Sequence, residues 1–173
     1  MGLESVRRWL AANAPDLRLV EVEASTATVA DAAAALGVEP GRIAKTLAVR
    51  AAGDTFLLVA RGDARLDNAR CKAELGARPR MLGPDETLEL TGHPVGGVCP
   101  FGLARPLPVY VDRSLRAFDG FVYPAGGSLN TSVEVTVERL FELVGQRWVD
   151  LCRLPDEAAG VELGGADALD RPG

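Results

Sequence analysis

Metal-binding and redox-active side chains are scarce in this chain of 173 residues. It has one histidine, His93, and three cysteines, Cys71, Cys99 and Cys152, which are widely spaced and form no Cys-x-x-Cys pair. Structural zinc sites draw on several such ligands at short spacings, and disulfide frameworks use an even number of cysteines. The sequence therefore predicts neither a zinc site nor a disulfide framework, and we expect no metal and no cofactor.

Long apolar runs and an excess of positive charge are also missing. No stretch approaches the roughly 18 apolar residues of a membrane-spanning helix, and the first residues lack the basic and apolar parts of a secretion signal. The net charge is -5, whereas proteins that grip nucleic acid broadly usually present a basic surface. We therefore expect a cytoplasmic protein that binds neither membranes nor DNA.

Length and composition predict one globular domain. The chain is 47% hydrophobic and 25% charged, which is typical of a protein with a single core. We place this domain at residues 1–150. Residues 151–173 carry two arginines against five acidic residues and few large apolar side chains, which predicts a mobile acidic tail.

The order of helical and strand patterns predicts a mixed α+β fold. Helices are predicted over residues 3–14, 29–36, 68–75, 84–90 and 137–144, and strands over residues 17–22, 43–51, 55–60, 107–112, 120–123 and 129–135. Three of these helices follow a capping residue, Thr28, Asp67 or Thr136. The elements lack the regular β-α-β rhythm of a doubly wound sheet, so we expect the α+β class.

Lys45 is unusual because the chain has seventeen arginines and only two lysines. The alternation of Ile43, Lys45, Leu47 and Val49 places it on the apolar side of a predicted strand. An ammonium is a compact point charge whose pKa changes on burial, whereas a guanidinium is a fixed planar fork. The lysine could serve chemistry or could be structural, and the residue alone leaves both interpretations open.

A second candidate site is the loop 93–102, in which Gly96, Gly97 and Gly102 surround Pro100. Glycine permits positive φ angles and a close approach of the backbone to a ligand. Such a loop can aim several N–H groups at one point, as an oxyanion hole or a phosphate cradle requires. The same glycines could also serve only to turn the chain.

The loop also contains Cys99, six residues after His93. A cysteine nucleophile needs a base within hydrogen-bonding distance, and His93 could be that base. Alternatively, Cys99 is a small, half-buried apolar residue and His93 forms a hydrogen bond within the loop.

Three short motifs occur in a fixed order between residues 26 and 144. They are Lys45-Thr46-Leu47, then Gly96-x-x-x-Pro100 followed by Phe101 and Gly102, then Ala125-Gly126 after a strand. In this combination the sequence resembles the YbaK/ProX family of aminoacyl-tRNA deacylases. These proteins are related to the editing insertion domain of bacterial prolyl-tRNA synthetase.

The resemblance implies a mixed, barrel-like β-sheet surrounded by helices. It also implies a trans-acting editing hydrolase for tRNA, commonly proline tRNA, that carries a wrong small amino acid such as Ala, Ser, Thr or Cys. Such enzymes use neither a metal nor a protein nucleophile. By this analogy Lys45 orients the terminal aminoacyl-adenosine, and backbone N–H groups of Gly96 and Gly97 hold the carbonyl oxygen while water or a substrate group attacks.

The resemblance further implies a substrate pocket. Its residues would be Thr26, Thr46, Val98, Cys99, Pro100, Phe101, Gly102, Ala125, Gly126 and Asn130. Many family members have serine where this chain has Pro124, so the identity of the bound amino acid stays open. Thr26 and Thr46 could line the pocket or act only as cap and strand residues, and Asn130 could bind substrate or complete a turn.

The expected partners are the 3′ end and acceptor stem of an aminoacyl-tRNA, and an aminoacyl-tRNA synthetase. Residues 61–80 carry three excess positive charges and could contact the acceptor stem, or they could be a solvated arginine face. Two other functions stay open. One is a non-catalytic module that binds tRNA or a synthetase, and the other is a thiol hydrolase that uses Cys99.

Overall fold

The computed structural model of the chain describes residues 2–155, which form five α-helices and ten β-strands. Helices α1 to α5 cover Leu3–Asn13, Val29–Leu36, Asn68–Leu75, Pro84–Thr91 and Val137–Val144. Strands β1 to β10 cover Arg18–Glu21, Ala44–Ala51, Asp54–Arg61, Arg65–Leu66, Arg80–Met81, Val109–Asp112, Phe121–Val122, Thr131–Thr136, Arg147–Val149 and Cys152–Arg153. The predicted α+β class is confirmed.

The strands form three sheets. The largest has the order β5-β2-β3-β6-β9, in which β2 runs antiparallel to β5 and β3, while β3, β6 and β9 are parallel. A second sheet has the order β1-β8-β7, and β10 pairs with β4. A backbone bridge between Ile43 and Tyr123 joins the first two sheets. Within residues 2–155 the predicted barrel-like sheet is therefore a pair of open sheets joined at one point.

The predicted helix starts are confirmed by their caps. Thr28, Asp67 and Thr136 each accept a hydrogen bond from the backbone N–H three residues later, at 3.0, 3.0 and 3.2 Å. Such a bond satisfies a donor that has no partner in the first helical turn. These three starts depend on contacts within four residues of sequence, which explains why the pattern reveals them.

None of the helices in residues 2–155 combines the length and the apolar character required to cross a membrane.

The short strands β4, β5, β9 and β10 have no counterpart in the sequence prediction, because two or three residues carry too little alternation to detect. Strand β10 extends the packed fold past residue 150, where the sequence suggested that the tail begins. Leu151 and Cys152 are both buried in the core. The remainder of the predicted acidic tail, residues 156–173, lies outside the described residues.

The largest sheet separates two apolar clusters. Ala44 and Ala48 of β2 belong to the cluster that contains residues of α1 and α5. Val49 and Ala51 belong to the other cluster, which contains residues of α3 and β10. Because successive side chains of a strand point to opposite faces, the side chain of Lys45 leaves β2 on the same face as that of Val49.

Candidate functional site

A cavity of about 290 Å³ lies along the edge of β2 that faces away from β3. Its walls come from β2, from the start of α2, from the glycine loop and from the segment around β7 and β8. The principal lining residues are Thr26, Ala27, Val29, Ala32, Ala44, Lys45, Thr46, Ala48, Leu82, Gly96, Val98, Tyr123, Ala125 and Ser132. The cavity therefore joins parts of the chain that are far apart in sequence.

Lys45 is the one charged residue in the lining of this cavity, among the described residues. Its Nζ donates a hydrogen bond to the carbonyl oxygen of Ala64, in the turn after β3. Burial lowers the pKa of the Lys45 ammonium below its usual range, because a charge in an apolar environment loses its hydration. An ammonium has three donors, so two remain after the bond to Ala64. Lys45 can therefore be held in place and still bind a ligand.

Gly96 brings the glycine loop to the cavity. Its φ angle is +98°, a conformation that residues with a side chain rarely adopt. A Cβ at this position would lie 2.9 Å from the Leu129 side chain and 3.2 Å from Ala27 Cβ. The backbone angle thus requires glycine, as the loop pattern predicted, whereas the exposed Leu129 side chain could rotate to make room for a Cβ.

Gly97 packs behind the cavity and is not part of its lining. Its N–H donates a hydrogen bond to the Pro94 carbonyl at 2.8 Å. A Cβ at Gly97 would lie 2.9 Å from both the backbone N and O of Ser128. The N–H predicted to hold a substrate carbonyl is therefore already used inside the loop, and donation to a substrate would require the Pro94 turn to open.

Thr26 and Thr46 both line the cavity. Their hydroxyl oxygens are buried and have no hydrogen-bond partner among residues 2–155. Most buried hydroxyls in proteins do have partners. The sequence left open whether Thr26 and Thr46 line the pocket or act only as cap and strand residues. In the structure both residues lie at the cavity.

Six of the thirteen predicted site residues meet at the cavity, and seven lie outside its lining. The six are Lys45, Thr26, Thr46, Gly96, Val98 and Ala125. The seven are Gly97, Cys99, Pro100, Phe101, Gly102, Gly126 and Asn130. The second half of the Gly-x-x-x-Pro motif and the residues after it therefore have other surroundings.

Phe101 is buried in the core, with its ring centre 5.3 Å from that of Trp9 in α1. Pro100 lies in a separate surface depression that Trp9 also lines. A Cβ at Gly102 would lie 2.5 Å from the Ser5 carbonyl oxygen, so this glycine allows the loop to contact α1. These three residues attach the loop to the first helix.

Gly126 and Asn130 shape the segment between β7 and β8. A Cβ at Gly126 would lie 2.8 Å from the side chains of Leu19 and Thr131. Asn130 Nδ2 donates a hydrogen bond to the Val22 carbonyl at 3.0 Å. Asn130 therefore connects the chain after β1 to the start of β8.

Cys99 and His93 lie next to each other but are both fully buried. Cys99 Sγ is 3.7 Å from His93 Nε2, and the same nitrogen is 2.8 Å from the Phe101 carbonyl. Burial raises the pKa of the Cys99 thiol to about 12. A thiol that stays protonated and lies outside the cavity does not suit nucleophilic attack on a bound substrate.

Residues 23–143 match the family model of the aminoacyl-tRNA editing domain. This chain belongs to that family. The family resemblance carried by the three motifs is thereby confirmed.

The editing domain is similar to several known proteins. It is 45% identical over 155 residues to the uncharacterized protein YwhH of Bacillus subtilis (strain 168), covering 88% of this chain and 98% of that protein. It is 34% identical over 119 residues to the proline–tRNA ligase of Geobacter sp. (strain M21). That match covers 68% of this chain and 21% of the ligase. The chain thus spans about a fifth of that ligase.

A solved structure has the same fold as this editing domain. It is described as a candidate trans-editing enzyme for prolyl tRNA synthetase and has a TM-score of 0.79 and 34% sequence identity. The match covers 87% of this chain and 96% of the solved chain. The correspondence therefore extends over nearly the whole of the described fold.

Several residues of the editing-domain cavity were not predicted from the sequence. Examples are Ala32, Leu82, Tyr123 and Ser132. Most have apolar or small side chains that carry no chemical signal, and they meet only because the sheets come together. Tyr123 is the exception, since its hydroxyl donates a hydrogen bond to Glu134 at 2.9 Å. The alternation of residues in the predicted strand 120–123 could have shown whether Tyr123 faces inward or outward. It could not have shown that Tyr123 lines the cavity.

The arginine-rich segment 61–80 lies next to the site through Ala64. Arg61 forms a salt bridge with Asp63 at 2.6 Å, and Arg70 forms one with Asp150 at 3.4 Å. Arg78 and Arg80 are exposed. Part of the positive charge of this segment is thus balanced by acidic neighbours within the editing domain.

Proposed function

We propose that this editing domain hydrolyses, in trans, the ester bond of tRNA that carries a wrong small amino acid, with proline tRNA as its tRNA class. One observation carries the proposal: Lys45 and Gly96, from two motifs far apart in sequence, line one cavity of about 290 Å³. The similarity to proline–tRNA ligases and to a candidate trans-editing enzyme supports the choice of tRNA.

The size and lining of the cavity support a small amino acid. Binding pockets for drug-sized ligands usually have volumes of about 300–1,000 Å³, and this cavity, at about 290 Å³, lies just below that range. Ala32, Ala44, Ala48 and Ala125 contribute short side chains to its walls. An amino acid such as Ala, Ser, Thr or Cys fits these dimensions together with part of the terminal ribose.

The chemistry needs little from the protein, because an aminoacyl ester is already activated. The oxygen of a water molecule attacks the carbonyl carbon, the bond to the ribose oxygen breaks, and that oxygen takes a proton as the amino acid leaves. A single donor to the developing oxyanion typically contributes about 10² to 10³ in rate. In our proposal Lys45 positions the terminal adenosine, and the backbone at Gly96 approaches the ester.

The partners follow from the same proposal. The 3′ end of the tRNA enters the cavity, and the acceptor stem contacts the segment 61–80, where Arg78 and Arg80 are exposed. An aminoacyl-tRNA synthetase that produces the mischarged tRNA is the second partner. Replacing Arg78 and Arg80 by glutamate should raise KM for charged tRNA and leave kcat unchanged, since phosphate contacts position the nucleic acid.

A deacylation assay tests the proposal. Proline tRNA charged with Ala, Ser, Thr, Cys or Pro is incubated with the unchanged chain, with Lys45→Ala and with Lys72→Ala. Lys72 is the other lysine and is exposed on α3, outside the cavity but within the segment 61–80, so its loss removes the same charge and should raise only KM. At saturating tRNA we expect ester loss with one of the small amino acids, with kcat retained in Lys72→Ala and lost in Lys45→Ala.

Two outcomes would contradict this function. Binding of tRNA that survives Lys45→Ala, with no ester loss on any charged tRNA, would indicate the non-catalytic binding module. Ester loss that disappears in Cys99→Ser but persists in Lys45→Ala would indicate the thiol hydrolase.

A further inference from the structure

The outer edge of β2 has backbone hydrogen bonds at both ends of the cavity. At one end the Ala44 N–H donates to the Tyr123 carbonyl at 3.1 Å, and at the other the Leu82 N–H donates to the Ala48 carbonyl at 3.0 Å. Both bonds leave β2 on the side opposite to β3. The backbone groups of Ala44 and Ala48 thus point outward, toward the side on which the cavity lies.

Thr46 lies midway between these two residues. In an antiparallel pair, successive residues alternate between facing the partner strand and facing away from it. Leu57, which is paired with Ala48, donates to the Pro108 carbonyl at 2.9 Å and so also faces away from the hairpin partner. The same alternation directs both the N–H and the C=O of Thr46 outward.

No partner for the Thr46 N–H or C=O occurs within residues 2–155. Strand β5 pairs with β2 only at Val49 and Arg50, and the bridge from Tyr123 reaches only Ile43. Thr46 itself lines the cavity between these two contacts. Unpaired backbone groups inside a folded protein are rare, so a gap in the pairing that opens on a cavity indicates a ligand.

An α-aminoacyl group has the matching pattern of donors and acceptors. A strand residue exchanges two hydrogen bonds with the residue opposite, one through its N–H and one through its C=O. The aminoacyl ester has an amino group and a carbonyl oxygen at the same spacing as one residue of a peptide. It can therefore pair with an exposed strand edge as a strand of a single residue.

We propose that Thr46 binds the aminoacyl group of the substrate through its backbone. The Thr46 N–H donates to the ester carbonyl oxygen, and the Thr46 C=O accepts from the α-ammonium group. The inference rests on the proposed function and supplies the carbonyl donor that Gly97 lacks while its N–H is bound to Pro94. It also explains how one site would accept several small amino acids, since the contacts involve only atoms that all amino acids share.

A backbone substitution tests the donor. Thr46 is replaced by its α-hydroxy analogue, which changes the amide before it into an ester, removes the N–H and weakens the preceding carbonyl as an acceptor. The same replacement at Thr55 is the control, because Thr55 lies on the same hairpin, outside the cavity lining, and its N–H also has no partner in the described part of the chain. The weakened carbonyl is that of Lys45 in the Thr46 variant and that of Asp54 in the Thr55 variant. Both carbonyls face the partner strand within the β2–β3 hairpin.

We expect the Thr46 analogue to lower the rate of deacylation by about 10²-fold, the usual effect of one lost oxyanion donor, while the Thr55 analogue keeps the rate of the unchanged chain. Equal rates in both variants, or the same loss in both, would overturn the inference. Melting temperatures of the two variants verify that both fold equally well.

A binding measurement separates this inference from the proposed function. The probes are two stable analogues of the charged 3′ end, 3′-alanylamino-3′-deoxyadenosine and 3′-propionylamino-3′-deoxyadenosine, which differ only in the α-amino group. Calorimetry should show about tenfold weaker binding of the propionyl compound, because the Thr46 carbonyl then lacks its donor. Equal affinities would overturn the inference and leave the proposed function intact, whereas no binding of either compound would overturn both.

Discussion

Replacing Gly97 by alanine should loosen the packing between the glycine loop and the segment after β7. The added Cβ would lie 2.9 Å from the backbone N and O of Ser128 and 3.0 Å from the backbone carbon of Gly127. Carbon atoms in contact are normally about 3.5–4.0 Å apart, so the two segments must separate by about 0.5–1 Å. Backbone atoms cannot rotate aside as a flexible side chain would.

The size of the effect follows from this contact. Overpacking of a core typically costs about 1–3 kcal/mol, and each kcal/mol shifts the melting temperature of a chain of this size by about 2–4 °C. Gly97→Ala should therefore melt about 2–12 °C lower. Deacylation should also slow, by about 10²-fold for a displacement of 1 Å, because the neighbouring Gly96 and Val98 line the cavity.

Thermal unfolding and the deacylation assay measure the two effects. Gly83→Ala is the control, since a Cβ there meets nothing within 4 Å and the φ angle is -72°. Its cost is about 0.5 kcal/mol, because alanine caps a helix less well than glycine. If Gly97→Ala melts no lower than Gly83→Ala and keeps its rate, the contact with Ser128 does not position the loop.

Three further predictions concern single side chains. Lys45→Arg should slow deacylation by about tenfold or more although the charge is kept, because a planar guanidinium cannot replace a compact ammonium beside the Ala64 carbonyl. An unchanged rate would return Lys45 to a structural role. Burial lowers the pKa of His93 from 6.5, so the unfolded chain takes up its proton first as the pH falls. Stability should drop below pH 6.5, by at most about 1.4 kcal/mol per pH unit, and urea unfolding of His93→Gln should lack this contribution. Cys99→Ala should keep the deacylation rate and lose about 1 kcal/mol of stability, and an inactive variant would favour the thiol hydrolase.

Elements that depend on neighbours in sequence were predictable. The helices after Thr28, Asp67 and Thr136 start at side chains that bind the backbone three residues later. The hairpin of β2 and β3 follows from two alternating segments joined by a short turn. Strands β9 and β10 were not predictable, because their two or three residues are stabilised by distant partners in β6 and β4.

The site divides in the same way. The motif of Lys45 and Thr46 and the requirement for glycine at position 96 were visible in the sequence, since an isolated lysine and a glycine cluster are local signals. The surroundings of Phe101 were not visible in the sequence, because its ring contacts Trp9 of the first helix, which is far from the loop in sequence. A motif therefore indicates which segment is special without showing which of its residues reach the ligand.

The sequence by itself determined the α+β class, the helix caps, the β2–β3 hairpin and the family, because these depend on short-range hydrogen bonds and on the pattern of residue types. Only the tertiary structure decided which predicted residues share the cavity and that the Gly97 N–H is bound to Pro94. It also decided that the backbone of Thr46, at the edge of β2, has no hydrogen-bond partner within residues 2–155. Whether an edge is covered depends on the position of the other strands, and no residue of β2 encodes that position.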